Sequence, residues 1–137
     1  MKYHLIKCLN CGIEHNSSRN SCHKFCSNKC QKEFEFKNNI KKWLDGKTNP
    51  LNTNDLVKPF ARKYLFEKFK NKCCLCGWGE INKTTGRIPL EVDHIDGNYK
   101  NNEISNLRLL CPNCHSLTSN YKSLNKGNGR NKRNKIR

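Results

Sequence analysis

The stretch "LEVDHIDGNYKNNEISNLRLLCPNCHSLTSNY", residues 90–121, decides how this chain is interpreted, because it carries several potential metal ligands in a short span. These ligands are Asp93, His94, Cys111, Cys114 and His115. Thiolates suit zinc, whereas carboxylate oxygens suit hard cations such as Mg²⁺. A single ion does not account for both kinds of ligand, so the stretch predicts two metal sites with different roles.

A second cysteine pair lies upstream in "CCLCGWGE", where Cys73 and Cys76 form a C-x-x-C. Together with Cys111 and Cys114, this pair provides the four thiolates of a tetrahedral structural zinc site. A redox C-x-x-C is the alternative, but a redox pair needs no partner pair, and a partner pair is present here. Cys74 lies between the two cysteines of this C-x-x-C, a segment called the knuckle below, and is left as a free or packed thiol.

The N-terminal part of the chain has a similar arrangement in "CLNC" and "FCSNKC", with the ligands Cys8, Cys11, Cys26 and Cys30. A segment of this length buries too little apolar surface to fold alone, so metal binding must contribute to its folding. Cys22 and His23 are alternative ligands. We favour Cys26 and Cys30, because Ser27 can then cap a helix that carries Cys30.

The composition limits the setting and the partner. Ten cysteines in 137 residues indicate either disulfides or metal sites. The start "MKYHLIKCLNCG" lacks the apolar region of a signal peptide, so we expect a reduced, intracellular setting. No stretch has the roughly 20 apolar residues that cross a membrane. The formal net charge of +16 predicts a polyanionic partner, and nucleic acid is the commonest one.

Two helices are predicted before the second cysteine set. The first covers residues 27–44 and is stopped by "DGKTNP", in which Gly46 is a helix breaker. Residues 45–54 are polar and are predicted to form a linker. Asp55 is the predicted N-cap of the second helix, whose apolar residues recur at helical spacing up to about Lys70.

The stretch quoted first is predicted to form a strand, a loop, a strand and a helix. The strands are predicted over residues 88–95 and 107–110, and the helix follows Pro112. Neighbouring strand side chains point to opposite sides, so Asp93 and His94 are predicted to do different jobs unless the strand ends there. One carboxylate with one imidazole is a sparse ligand set, which leaves room for water and phosphate as a catalytic metal requires.

These features resemble the HNH endonuclease family, the ββα-metal nucleases. The arrangement "C-x-x-C … D-H-I-D-G … N-L-R-L-L-C-P-N-C-H" is similar to the zinc-stapled subgroup of phage, homing and restriction enzymes, over residues 70–121. The N-terminal cysteine set resembles small zinc modules attached to such nucleases, with a weaker match. The resemblance implies a small, metal-stabilised α+β fold: a ββα-metal HNH nuclease unit with a four-cysteine zinc site, preceded by an N-terminal zinc-binding module and a helix.

The resemblance also implies roles for single residues. His94 would be the general base, and Asp93 and His115 would hold one divalent ion. Asn106 would fix the loop and strand so that His94 is held in position, or approach the metal as in some members of the family. The implied cofactors are two structural Zn²⁺ ions and one catalytic ion, which is Mg²⁺ or Mn²⁺ with Zn²⁺ or Ni²⁺ as alternatives. Three other asparagines are assigned to solvation of the loop: Asn98, Asn101 and Asn102.

The function that the resemblance implies is a metal-dependent DNA endonuclease that hydrolyses phosphodiester bonds with water activated by His94. The alternative is a non-catalytic zinc-ribbon DNA-binding protein, which would need neither this histidine nor Asp93, Asn106 and His115. The sequence leaves open the target site, whether one strand or both are cut, and whether the role is homing, restriction or packaging. Monomer and dimer are both compatible with it.

The expected domain organisation has three parts. Residues 1–45 would form the N-terminal zinc-binding module with its helix, and residues 55–121 would form the HNH nuclease domain. The tail, residues 122–137, carries seven Lys and Arg residues and no acidic residue. It is predicted to be disordered and to contact phosphates without reading the DNA sequence.

Overall fold

The computed structural model describes residues 4–17 and 24–128. The chain divides into two compact units, Met1–Lys42 and Trp43–Arg137. The alternative ligands Cys22 and His23 lie outside the described residues, as does the basic part of the tail beyond Asn128. Among the described helices, none is long and apolar enough to cross a membrane.

The first unit combines a hairpin with a helix. Strands β1 (His4–Lys7) and β2 (Glu14–Ser17) pair in antiparallel fashion. Helix α1 (Asn28–Leu44) follows them, and its last two residues belong to the second unit. The Ser27 hydroxyl oxygen accepts a hydrogen bond from the backbone N–H of Cys30 at 3.2 Å, which confirms the predicted cap. The cap therefore places this cysteine in the first turn of α1.

The segment between α1 and the next helix belongs to the fold, so the prediction of a linker over residues 45–54 is wrong. Pro50 is fully buried, and its carbonyl accepts a hydrogen bond from Lys58 N–H at 2.7 Å. Leu51 forms an antiparallel bridge with Val57. These backbone pairings fold the segment back on itself, and its polar composition gave no sign of them.

Helix α2 (Pro59–Lys68) begins later than the predicted cap at Asp55. Asp55 has φ +58°, a left-handed conformation that does not lead into a helix. The Asn52 side-chain oxygen accepts from the N–H of Leu56 at 3.0 Å, which makes this stretch a turn. Proline suits the first helical position because no N–H is needed there. Turn chemistry therefore overrides the apolar spacing that suggested an earlier start.

The core of the second unit is an antiparallel strand pair followed by a short helix. Strand β3 (Glu91–His94) pairs with β4 (Leu107–Leu110), with Asp93 opposite Arg108. Helix α3 (Pro112–Ser116) follows directly. The bounds of β4 are those predicted from the sequence. Among the described residues of this unit, the largest fully buried side chains are those of Pro50, Leu65, Leu90, Leu107, Leu109 and Leu110.

Two of these elements are shorter than predicted. Pro89 has no N–H, and the N–H of Leu90 bonds to the carbonyl of Ile88 at 2.8 Å, so a tight turn precedes β3. The hydroxyl of Thr118 donates to the carbonyl of His115 at 2.9 Å and competes with continuation of α3. The predicted helix is therefore divided, and a separate 3-10 turn follows at Lys122–Leu124.

Residues 122–128 are part of this fold, so the prediction that the tail is disordered from Lys122 is wrong for them. The side-chain amide of Asn125 donates to the carbonyl of Gly97 at 2.8 Å. A Cβ atom added at Gly97 would lie 2.7 Å from the amide nitrogen of Asn120. The segment after α3 therefore packs closely against the loop that follows β3, and a glycine is needed where they meet.

Candidate active site

Eight of the described cysteines form two tetrads, and each tetrad could hold a metal ion. The N-terminal tetrad consists of Cys8, Cys11, Cys26 and Cys30, and the C-terminal tetrad of Cys73, Cys76, Cys111 and Cys114. Within each tetrad the sulfur atoms lie within 4.8 Å of one another. The groupings predicted from cysteine spacing are therefore the groupings that the fold brings together.

The thiols of the N-terminal tetrad differ in how easily they ionise. Burial disfavours the Cys8 thiolate, but the backbone N–H groups of Cys11, Cys26 and Asn10 outweigh burial and lower the pKa of Cys8 to about 6. Hydrogen bonds with the Cys30 and Cys11 sulfurs raise the pKa of Cys26 to about 12. One sulfur thus favours the thiolate and another keeps its proton, so four thiolates together require a compensating cation.

The C-terminal tetrad shows the same division. Burial opposes ionisation of Cys73, but backbone N–H groups, first that of Cys111 and then that of Cys76, lower its pKa to about 6. Hydrogen bonds with the Cys76 and Cys111 sulfurs raise the pKa of Cys114 to about 12. Cys74 lies outside the tetrad, and its N–H donates to the Leu109 carbonyl at 2.9 Å. The knuckle is therefore fastened to β4 by its backbone as well.

A cleft of about 560 Å³ lies beside the strand pair, and the predicted catalytic side chains of β3 and α3 line it. Its lining includes Glu91, Asp93, His94, Tyr99, His115, Tyr121 and Lys122. Lys122 is the single Lys or Arg among the described residues of this lining. The carboxylates of Glu91 and Asp93 bring into this lining the oxygen ligands that hard cations take.

Asp93 is buried, with 6% of its surface exposed. The Nε of Arg108 donates to its Oδ2 at 2.7 Å. Its other oxygen, Oδ1, lies 3.7 Å from Nε2 of His115. The Nδ1 of His115 lies 2.7 Å from Oε2 of Glu91. Arg108 thus contacts one oxygen of Asp93, and Glu91 contacts one nitrogen of His115. The atoms of Asp93 and His115 that face each other are the carboxylate oxygen Oδ1 and the imidazole nitrogen Nε2.

His94 is the last residue of β3 and is buried, with 9% of its surface exposed. Its Nε2 lies 2.9 Å from Oδ1 of Asn102. Because the strand ends at His94, the alternation of side chains stops there, and Asp93 and His94 both line the cleft. The sequence left open the case in which the strand ends at these residues, and this is the case that the structure shows.

Asn106 contacts the loop between the strands. Its side-chain amide donates to Oδ1 of Asp96 and to the carbonyl of Asn101, both at 2.8 Å. Burial opposes ionisation of Asp96, but hydrogen bonds from the Asn101 side chain, the Asn98 N–H and the Asn106 side chain hold its pKa below the usual value. Asn106 thus ties the start of the loop to its end, next to the site.

Sequence reasoning missed four residues of the site: Asn49, Glu91, Asn102 and Arg108. The assignment of Asn102 to loop solvation is wrong, because it is only 5% exposed and contacts the His94 ring. Two of the four left a signal in the sequence. Glu91 precedes Asp93 by two positions on a strand, and strand pairing places Arg108 opposite Asp93. Asn49 and Asn102 left none, because asparagine is frequent throughout this chain.

Comparison with known proteins identifies part of the chain. Residues 81–116 match the model of a family described as HNH endonuclease. In an alignment 69 residues long that covers 47% of this chain, the sequence is 49% identical to "H-N-H endonuclease F-TflIV" of Escherichia phage T5. The match covers 28% of that phage protein, so the chain spans less than a third of its relative. No solved structure matches.

The matched segment contains Asp93, His94, Asn106 and His115, the residues on which the resemblance was based. The family to which it belongs is a class of nucleases, enzymes that hydrolyse phosphodiester bonds. The segment of residues 81–116 belongs to the HNH endonuclease family, and the family predicted from the sequence is confirmed for this segment.

Proposed function

We propose that this protein is a metal-dependent DNA endonuclease in which His94 activates water for attack on a phosphodiester bond. The observation that carries the proposal is the convergence of Asp93, His94 and His115 on one cleft, inside the segment that matches the HNH endonuclease family. A carboxylate and two imidazoles supply both a hard ligand and a base near neutral pH.

His94 has the chemistry of a general base. A neutral imidazole accepts a proton from water, and the hydroxide that forms attacks the phosphorus atom in line with the leaving oxygen. The histidine is held at the end of β3, where the N–H of Gly97 and the side-chain amide of Asn120 both donate to its carbonyl, at 2.9 and 3.0 Å. The ring is therefore presented to the cleft on anchored backbone.

Asp93 and His115 fit a divalent ion. Ligand atoms about 2.1 Å from one ion lie roughly 3 Å apart at octahedral angles, close to the 3.7 Å between Asp93 Oδ1 and His115 Nε2. Mg²⁺ or Mn²⁺ suits a carboxylate with one imidazole, and Zn²⁺ or Ni²⁺ are alternatives. When bound, such an ion polarises the phosphate and neutralises charge on the leaving oxygen.

The two tetrads would hold structural zinc. Four cysteine sulfurs are the donor set that zinc prefers, and no further ligand is needed to complete a tetrahedron. The thiols with the raised pKa, Cys26 and Cys114, lose their protons when an ion enters. We therefore assign two structural Zn²⁺ ions to the chain, in addition to the divalent ion of the cleft.

The proposed substrate is DNA, and the supporting observations are the net charge of +16 and the phage relative that is named an endonuclease. The proposed setting is the cytoplasm of a bacterial or phage-infected cell, because the thiols of the tetrads must stay reduced. A monomer with one cleft would nick one strand, and cutting both would take a dimer or two events. A zinc-ribbon binding protein without activity is less well supported, because it leaves the convergence in the cleft unexplained.

The decisive experiment is cleavage of supercoiled plasmid with Mg²⁺ or Mn²⁺, followed on a gel. Replacement of the base, His94→Ala, should lower the cleavage rate by roughly 10²–10⁴-fold while DNA binding stays near that of the unmodified protein. His4→Ala is the matched control, because His4 is exposed in the first unit. Cleavage by His94→Ala at the rate of the control would remove His94 from the proposed role.

A further inference from the structure

Asn102 is a buried side chain next to the proposed base, and its backbone is fixed. It lies in the loop between β3 and β4 with 5% of its surface exposed. The indole N–H of Trp43, at the end of α1, donates to its backbone carbonyl at 2.7 Å. A buried hydrogen bond of this length fixes the backbone position from which the Asn102 side chain extends.

The orientation of the Asn102 amide is fixed as well. Its Nδ2 donates to the backbone carbonyls of Tyr99 and Lys100 at 3.0 and 3.2 Å, and to the side-chain oxygen of Asn49 at 3.2 Å. All three partners are acceptors, so a reversed amide would place oxygen against oxygen. The Oδ1 atom must therefore face His94.

This orientation determines which nitrogen of His94 carries the proton in the neutral ring. The Oδ1 of Asn102 accepts only, so Nε2 of His94, 2.9 Å away, must be the N–H that donates to it. The lone pair of the neutral imidazole is then on Nδ1. His94 lines the cleft and Asn102 does not, so the bonded nitrogen faces away from the cleft.

We propose that Asn102, supported by Asn49, is a positioning residue that fixes the tautomer and the angle of the His94 ring, so that Nδ1 is the atom that takes the proton from water. This inference rests on the proposed function. As the new oxygen–phosphorus bond forms, the water proton moves to Nδ1 and the bond to the leaving oxygen breaks. The leaving oxygen keeps the electron pair and receives a proton from solvent water.

Asn49 supports this arrangement from the segment that was predicted to be a linker. Its Nδ2 donates to the carbonyl of Lys100 at 3.3 Å, and its Oδ1 accepts from Asn102 and from the N–H of Leu51. The turn around Pro50 thus contacts the base through a single intermediate, Asn102. The role of Asn49 is to keep the Asn102 amide from turning.

The tautomer can be measured directly by two-bond ¹H–¹⁵N correlation NMR of the zinc-loaded full chain. Spectra are recorded at alkaline pH, where the two ¹⁵N shifts of a ring show directly whether it carries one proton or two. Signals of His94 are identified by their absence from the His94→Gln variant. We expect Nε2 at the shift of a protonated nitrogen and Nδ1 at that of an unprotonated one. A ring protonated on Nδ1, or a mixture of tautomers, would overturn the inference without any need for an Asn102 variant.

Asn102→Leu removes the acceptor at nearly constant size. We expect a mixture of tautomers and a fall in kcat of about 10–100-fold, with KM within about twofold. The matched control is Asn101→Ala, which removes a bond to Asp96 in the same loop and should leave the His94 tautomer unchanged. An unchanged tautomer in Asn102→Leu, or a changed tautomer with unchanged kcat, would overturn the inference.

Zinc content and NMR dispersion show whether Asn102→Leu is folded. If it is not, Asn49→Ala replaces it, because this exposed residue touches the amide and not the ring. A mixture of His94 tautomers in Asn49→Ala supports the inference. A tautomer identical to that of the unmodified protein overturns the role proposed for Asn49. The proposed function fails separately: plasmid left uncut by the unmodified protein contradicts the nuclease proposal, while the NMR result still decides what Asn102 does to the ring.

Discussion

At the scale of the residue, each side chain in the cleft that is proposed to do chemistry has a neighbour that limits how it can turn. Arg108 bonds one oxygen of Asp93, and Glu91 contacts Nδ1 of His115. Contacts of this kind orient metal ligands, and their loss commonly weakens metal binding even though the ligands themselves remain. The effect of Arg108 on Asp93 and the effect of Glu91 on His115 can therefore be tested separately.

Arg108→Ala removes the partner of Asp93 and leaves the carboxylate free to turn. We expect the Mn²⁺ concentration that gives half-maximal cleavage to rise by about 10–100-fold, because the proposed ligand is no longer oriented. Cleavage at saturating Mn²⁺ should recover most of its rate. Arg87→Ala is the matched control, since Arg87 is exposed and lies away from the cleft lining. Equal Mn²⁺ dependence in the two variants would mean that Arg108 does not orient a metal ligand.

At the scale of the element, the C-terminal tetrad joins the segment after α2 to the start of α3. Cys73 and Cys76 follow α2, while Cys111 is the N-cap of α3 and accepts from the N–H of Cys114 at 3.4 Å. The apolar residues available to this unit are few, so metal ligation must supply part of the stability of the strand pair and α3.

Cysteine replacement should therefore separate folding from chemistry. Purified protein should contain two zinc ions per chain, one for each tetrad. Cys111→Ser should lose one zinc and unfold the strand pair with α3, as seen by circular dichroism, because the metal that joins α3 to residues 73–76 is lost while serine can still cap the helix. His115→Ala should keep both zinc ions and its fold, yet cleave poorly. A folded Cys111→Ser protein, or an unmodified chain that carries no zinc, would contradict the proposed zinc sites.

Zinc binding should also depend on pH with a defined sign. The pKa of Cys114 is raised to about 12 by hydrogen bonds with the Cys76 and Cys111 sulfurs, so an entering ion must displace its proton. Ion binding then releases protons, and zinc affinity falls as pH falls, by about tenfold per pH unit for each proton released. A chromogenic chelator can follow zinc release between pH 8 and 5. Cys74→Ser is the control, since Cys74 lies outside both tetrads, and affinity that does not change with pH would contradict this assignment.

Patterns in the sequence predicted those parts of the fold that short-range chemistry determines. Cysteine spacing gave both tetrads, and apolar residues gave β4 with its bounds. The start of α2 and the packing of residues 45–54 were missed, because turns and backbone pairing determine them. The contact of Asn102 with His94 joins residues eight positions apart through the loop geometry, and a loop rich in asparagine contains no periodicity that would single it out.

At the scale of the whole molecule, the positive charge extends beyond the cleft. Residues 129–137 include Arg130, Lys132, Arg133, Lys135 and Arg137. They lie outside the described residues, whereas Lys122 lines the cleft. Shortening the chain at two different positions would therefore test two different things. A cut after Tyr121 removes part of the cleft, and a cut after Asn128 removes five basic residues and keeps every described residue of the cleft lining.

Deletion of residues 129–137 should weaken DNA binding without changing the chemical step. Each phosphate neutralised on duplex DNA contributes about 0.9 to the slope of log affinity against log salt concentration. If about half of the five basic residues in this segment engage phosphates, the slope should flatten by about 2, with the same loss of affinity on all DNA sequences. Cleavage at saturating DNA should stay unchanged, whereas a chain ending at Tyr121 should also cleave more slowly. A salt slope identical to that of the full chain would mean that the segment does not touch DNA, and an altered sequence preference would mean that it reads bases.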